Sequence, residues 1–279
     1  MKVYPLLITF FAVSLLACTN VSENRENISV DFEQFDKGKL TDVQTKRIWP
    51  GARIECGKKD FIFYKLGITP HPHFIEKEKD NSFLKVLMPK NHFGPITGAQ
   101  WKIPLMPKDE YFFSYKVRFE DDFDFVKGGK LPGLAGGVIK AGNIPNGDDG
   151  WLARMMYWEK GKLSFYVYFP NQSTRWGERL YLKNAQQDTL RISKGQWHRI
   201  TQRIKLNTPE KNDGVLQAWF DGQEAFYTDS ILFRKSSELQ TDHVSYSVFM
   251  GGDDFSWAPS KNQYIYFDDF RISSQTITP

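Results

Sequence analysis

Only two cysteines occur in the 279 residues, Cys18 and Cys56. If Cys18 is taken up by the N-terminal processing argued below, no disulfide can form and the core must stand on packing alone. Long apolar runs are equally scarce. The most apolar stretch, from about Leu6 to Ala17 after Lys2, spans roughly a dozen residues, too few to cross a bilayer as a helix. Charge of one sign is missing too. The net charge is +4, and it falls to +3 if Lys2 is removed with the N-terminal segment. With no dense Lys/Arg cluster, that excludes a nucleic-acid footprint but remains compatible with an acidic substrate. Long helical patterns, internal repeats and low-complexity blocks are also absent.

What is present begins with export signals. The apolar run ends Leu15-Leu16-Ala17-Cys18, a small residue before a cysteine, which resembles a bacterial lipoprotein cleavage box. Residues 1–17 therefore read as a signal peptide and Cys18 as the lipidated N-terminus. Residues 18–30 read as a polar tether, and 31–279 as a single domain. The expectation is an exported bacterial lipoprotein, monomeric and membrane-anchored, on the periplasmic or outer-membrane side.

From there the dominant period is two. In 111–119, Tyr111, Phe113, Tyr115, Val117 and Phe119 alternate with Phe112, Ser114, Lys116 and Arg118, the pattern of a half-buried strand. Residues 197–206 and 264–272 alternate likewise. The stretch 215–227 carries Asp221-Gly222, suited to a tight hairpin turn. Aromatics make up 15% of the chain, enough for a sandwich core with some left for stacking on sugars. The fold expected is all-β: an antiparallel sandwich of jelly-roll type with one concave face.

Within 151–170, Leu163, Phe165, Val167 and Phe169 share one face, and Lys162, Ser164, Tyr166 and Tyr168 the other. A three-residue loop Glu159-Lys160-Gly161 sets Arg154 opposite Tyr166 and Leu152 opposite Tyr168. The segment KGGKLPGLAGG (127–137) adds Lys130 amid five glycines, whose lack of side chains suits a backbone passing close beside a groove. Such a site is cationic and phenolic. A glycosidase needs two carboxylates flanking the bond, and the nearest candidates, Glu120, Asp121, Asp122 and Asp124, sit at a strand end and read as a solvated turn. Cations with phenols suit β-elimination on a uronic acid polymer. The cations Arg154 and Lys130 neutralise the C6 carboxylate, a phenolate, Tyr166 or Tyr168, removes the C5 proton, and the other phenol protonates the departing O4. Unaided, Lys130 reads more readily as a solvated turn lysine than as a site residue, and the tyrosines read as sheet packing.

These blocks, with 197–222 and GGDDFSWAPSKNQYIYFDDF (251–270), resemble polysaccharide lyase family 14 over roughly residues 83–272. The family is similar to concanavalin-like jelly rolls and includes alginate and glucuronan lyases. The resemblance places the family's catalytic lysine on Lys130, its arginine on Arg154 and its two tyrosines on Tyr166 and Tyr168. Leu152 stands where the family has a serine. A uronate-glycan lyase is thus expected, with an acidic polysaccharide as partner and no cofactor. A non-catalytic glycan-binding lipoprotein on the same fold is the alternative.

Around the centre, Gln100, Trp151, Lys162 and Trp257 are candidate substrate contacts, with Trp158 and Trp176 as further stacking candidates. No metal site is expected. His71-Pro72-His73 lacks partners at ligand spacing. The segments NGDDG (146–150) and Asp253-Asp254 are where a structural calcium would sit, although turn chemistry is the stronger reading.

Overall fold

The computed structural model describes residues 26–54 and 73–279. The signal segment, Cys18, Cys56 and His71 lie outside the described residues. Two antiparallel sheets form a jelly-roll sandwich.

The nine-stranded sheet comprises β1 (Asn27–Val30), β2 (Gly38–Lys39), β4 (His73–Glu78), β5 (Asn81–Met88), β7 (Glu110–Phe119), β12 (His198–Lys205), β13 (Gly214–Phe220), β14 (Gln223–Ile231) and β16 (Gln263–Ser273). Its order is β14-β13-β12-β7-β16-β5-β4-β2, with β1 also paired to β16. The seven-stranded sheet comprises β3 (Arg53–Ile54), β6 (Ala99–Lys108), β8 (Gly128–Gly137), β9 (Gly150–Trp158), β10 (Leu163–Tyr168), β11 (Glu178–Tyr181) and β15 (Thr241–Met250). It runs β11-β10-β9-β8-β15-β6-β3. One short helix, Asp42–Ile48, starts from a capping box between Thr41 and Gln44.

Alternation decides which faces meet. Tyr111, Phe113, Tyr115, Val117 and Phe119 are all fully buried, facing Leu163, Phe165 and Val167 from the other sheet across one core. Aromatic pairs fill it, among them Trp101 stacked on Tyr246 at 4.0 Å between ring centroids. The expected hairpin at Asp221-Gly222 forms with both residues at positive φ, +49° and +81°. Asp221 also accepts from His198 Nδ1 at 2.7 Å and from the Arg199 N–H at 2.7 Å, and His198 Nε2 meets Ser193 Oγ at 2.7 Å. That chain of bonds ties the start of β12 to the β13–β14 turn.

Two expectations need correction here. Asn27–Val30 was assigned to the polar tether, yet it pairs in register with Phe270–Ser273 and buries Val30. Ile28 and Val30 supply enough apolar alternation for an edge strand. The glycine-rich 128–137 is itself a central strand, between β9 and β15, with a bulge between Lys130 and Gly133 where Pro132 cannot donate to the ladder.

Candidate active site

A groove of about 870 Å³ opens over the outer face of the seven-stranded sheet. The hairpin register inferred from sequence is the one observed, with Arg154 opposite Tyr166 and Leu152 opposite Tyr168. Gly161 closes the turn at φ +73°, with Lys160 also left-handed. Reading directly opposed residues across the strands, the middle row of the floor is Arg179, Tyr166, Arg154, Gly133, Ser245 and Lys102. The next row brings Lys130 opposite Met156.

Gly133 is what allows this approach. A Cβ there would lie 2.2 Å from Arg154 Cα, so any side chain would push β8 off β9. Gly177 does the same for Tyr166, whose ring would meet a Cβ at 2.8 Å.

Lys130 therefore lies where the sequence pointed it, half-buried, with Nζ 3.5 Å from the centroid of the Tyr166 ring. Its hydrogen bond goes to Met156 Sδ at 3.0 Å, a weak acceptor that does little to hold an ammonium. Burial first, and then the guanidinium charges of Arg154 and Arg179, hold the Lys130 pKa well below the ordinary lysine value. Arg154 donates to Ser245 Oγ at 3.2 Å. Tyr166 and Tyr168 pack edge to face at 5.6 Å. Burial, then the Tyr168 hydroxyl beside it, pushes the Tyr166 phenol above its usual value, with the Gly177 backbone and Arg179 opposing less strongly. Folding thus disfavours the charged form of both groups, the Lys130 ammonium and the Tyr166 phenolate.

Of the expected substrate contacts, Gln100 and Trp257 line the groove. Gln100 accepts from Ser247 Oγ at 3.0 Å and donates to the Pro95 carbonyl. Trp158 and Trp176 line it too. Trp151 reaches the groove only from beneath. It is fully buried and packs on Phe233 at 5.0 Å, because its parity along β9 is that of Ala153, Met155 and Tyr157, all core residues. Lys162 is also displaced from the site, since it stands at the hairpin mouth and pairs with Glu159 at 2.6 Å. Leu152 is buried against the tyrosines in a small apolar cluster with Ala135 and Met156.

The calcium segments are used as turns. Asn146 Oδ1 accepts from the backbone N–H of Asp148 and of Asp149, and Asp149 accepts from Gly150 N–H. Asp254 caps the turn at Phe255–Trp257. Among the described residues, no group of three or more His, Cys, Asp or Glu is placed to hold a metal. His73 sits in β4, its ring 5.5 Å from that of Trp101. The acidic run 120–124 behaves as a turn, with Asp122 paired to Lys261 and Asp124 accepting from Val126 N–H. Sequence reasoning missed Arg179. Counting the hairpin register one strand further, onto Glu178–Tyr181, would have found it.

Comparison with known proteins decides the family. The profile of polysaccharide lyase 14 matches residues 76–270. The chain belongs to polysaccharide lyase family 14. Among solved structures, this family 14 chain is similar in fold to the alginate lyase Aly36B, with a TM-score of 0.75 and 21% identity over 89% of this chain and 96% of that one. It is also similar to the marine alginate lyase of Aplysia kurodai (TM-score 0.62, 22% identity, 82% and 98% covered). A third is the alginate lyase vAL-1 from Chlorella virus (TM-score 0.62, 23% identity, 72% and 88% covered). No curated protein matches the chain in sequence.

Proposed function

We propose that this lyase cleaves a uronate-containing glycan of alginate or glucuronan type by β-elimination at the groove floor. The observation that carries the reading is the convergence of Lys130, Arg154, Tyr166 and Tyr168 on one face, with Lys130 over the ring of Tyr166. A mutant of Aly36B has been solved with alginate tetrasaccharide bound, which supports an acidic polysaccharide as the ligand class.

Arg154, which keeps its charge at any physiological pH, takes the C6 carboxylate and stabilises the charge that develops beside C5. Lys130, biased toward the free amine, accepts the C5 proton and becomes an ammonium. The electron pair released at C5 forms the C4–C5 double bond as the C4–O4 bond breaks. Tyr166 gives its phenolic proton to O4, and Tyr168 orients it. The ammonium left on Lys130 stands over the ring of the phenolate, Nζ 3.5 Å from its centroid, and passing its proton to the phenolate oxygen by way of solvent once product leaves restores the site. The sequence alone left Lys130 among the neutralising cations, with a tyrosine as base; its burial beside two guanidinia favours the base role instead.

Export through residues 1–17 and anchoring by acylated Cys18 belong to the same proposal, supported by the Leu-Leu-Ala-Cys box. Incubating the signal-free protein with polymannuronate, polyguluronate and glucuronan, and following the absorbance of the new double bond, tests the activity. Binding without that signal on all three favours the glycan-binding alternative.

A further inference from the structure

The reaction above leaves two cations of the floor unused, Lys102 and Arg179. Arg179, on the edge strand β11, lays its guanidinium over the Trp158 ring at 3.9 Å from the centroid. Its side chain makes no hydrogen bond or ion pair with any described residue. The plate beneath it is fixed: Trp158 is 3% exposed and donates its indole N–H to Ser164 Oγ at 2.8 Å. The nearby carboxylate, Glu159, is held by Lys162 at 2.6 Å. An arginine stacked on an aromatic ring keeps its in-plane N–H groups available to fork a carboxylate, and the ring sets the angle of approach.

Position then says which carboxylate. Trp158 lies four residues along β9 from Arg154, about 13 Å at the rise of an extended strand. Lys130, opposite Met156, falls between the two. Arg154 reaches the other way, across Gly133 to Ser245 on β15, while Arg179 stands over Trp158, so the two guanidinia serve different parts of the groove floor.

We propose that Arg179 binds the carboxylate of a uronate neighbouring the one cleaved, so that the groove reads two uronates together and prefers homopolymeric uronate blocks to chains in which uronates alternate with neutral sugars. This rests on the lyase reading of the same groove. Arg179→Gln, exposed and free of structural bonds, is compared with wild type and Arg179→Lys on a homopolymeric uronate and on a polymer alternating uronate with a neutral sugar.

The ratio of kcat/KM values for the two polymers should fall about tenfold in Arg179→Gln, carried mainly by KM, with partial recovery in Arg179→Lys, which restores charge without the fork. A ratio that is preserved while both rates fall would overturn the proposal. If wild type cleaves neither polymer, the lyase reading fails separately, and calorimetric titration with oligosaccharides of the two polymers then decides. Loss of the homopolymer preference in Arg179→Gln supports the second carboxylate site, and unchanged relative affinity refutes it.

Discussion

At the scale of single residues, the site depends on a lysine denied a counter-ion. A carboxylate partner would hold Lys130 charged; a thioether, a ring face and two guanidinia do the reverse. Activity should therefore rise with pH as Lys130 loses its proton, at a value below the ordinary lysine range, and stay high until the phenol of Tyr166 ionises above its usual pKa. A kcat/KM profile displaced to the alkaline side is the expected result. The same shift affects stability. The folded state holds fewer protons than the unfolded chain between the depressed pKa and about 10.5, so stability attributable to Lys130 rises with pH across that window. Wild type should gain stability relative to Lys130→Met as pH is raised from 7 toward 10, by denaturant titration at each pH. Arg154→Ala should cost about 10²–10³ in kcat, the size of effect seen when a group stabilising developing charge is removed.

Among the elements, the hairpin of β9 and β10 was the most legible part of the chain. Period-two alternation and a Gly-closed turn together placed Arg154 against Tyr166, and the register follows that count. What escaped was hidden for physical reasons. Strand β8 has so many glycines that it carries almost no hydrophobic alternation, the signal that marks strands. The glycines are there because β9 and β15 press on it from both sides. Trp151 was drawn to the groove by its chemistry although its parity assigned it to the core. Arg179 sits on a four-residue edge strand too short to show a period. At this scale Gly133→Ala is the informative change. Its Cβ would meet Arg154 Cα at 2.2 Å, so the β8–β9 pairing must open and Arg154 must move. A loss of at least tenfold in kcat/KM with retained binding is expected, since small misplacements of positioning groups are costly.

At the scale of the whole molecule, the described residues form a sandwich whose two sheets share one aromatic core, with the proposed site on the outer face of the smaller sheet. Among the described residues, Arg234 clamps the segments between strands. It is 4% exposed and bonds the Asn207 and Leu239 carbonyls at 3.0 Å and Asp109 at 2.8 Å. Arg234→Ala strands the buried Asn207 and Leu239 carbonyls, while the exposed Asp109 returns to water, and should destabilise the fold by about 2–4 kcal/mol, read as a lowered denaturation midpoint. The groove instead holds cations for an anionic chain, so polymer binding should weaken as salt screens them.

The most direct test of the account is formation of the unsaturated product by wild type, Lys130→Ala and Lys130→Arg on the best of the three polyuronates. Arginine preserves the positive charge but cannot accept a proton at working pH. If Lys130 is the proton acceptor, Lys130→Arg loses about 10²–10⁴ in kcat, as Lys130→Ala does, while still binding the polymer. If Lys130→Arg keeps activity near wild type, Lys130 only neutralises charge and the assignment is contradicted.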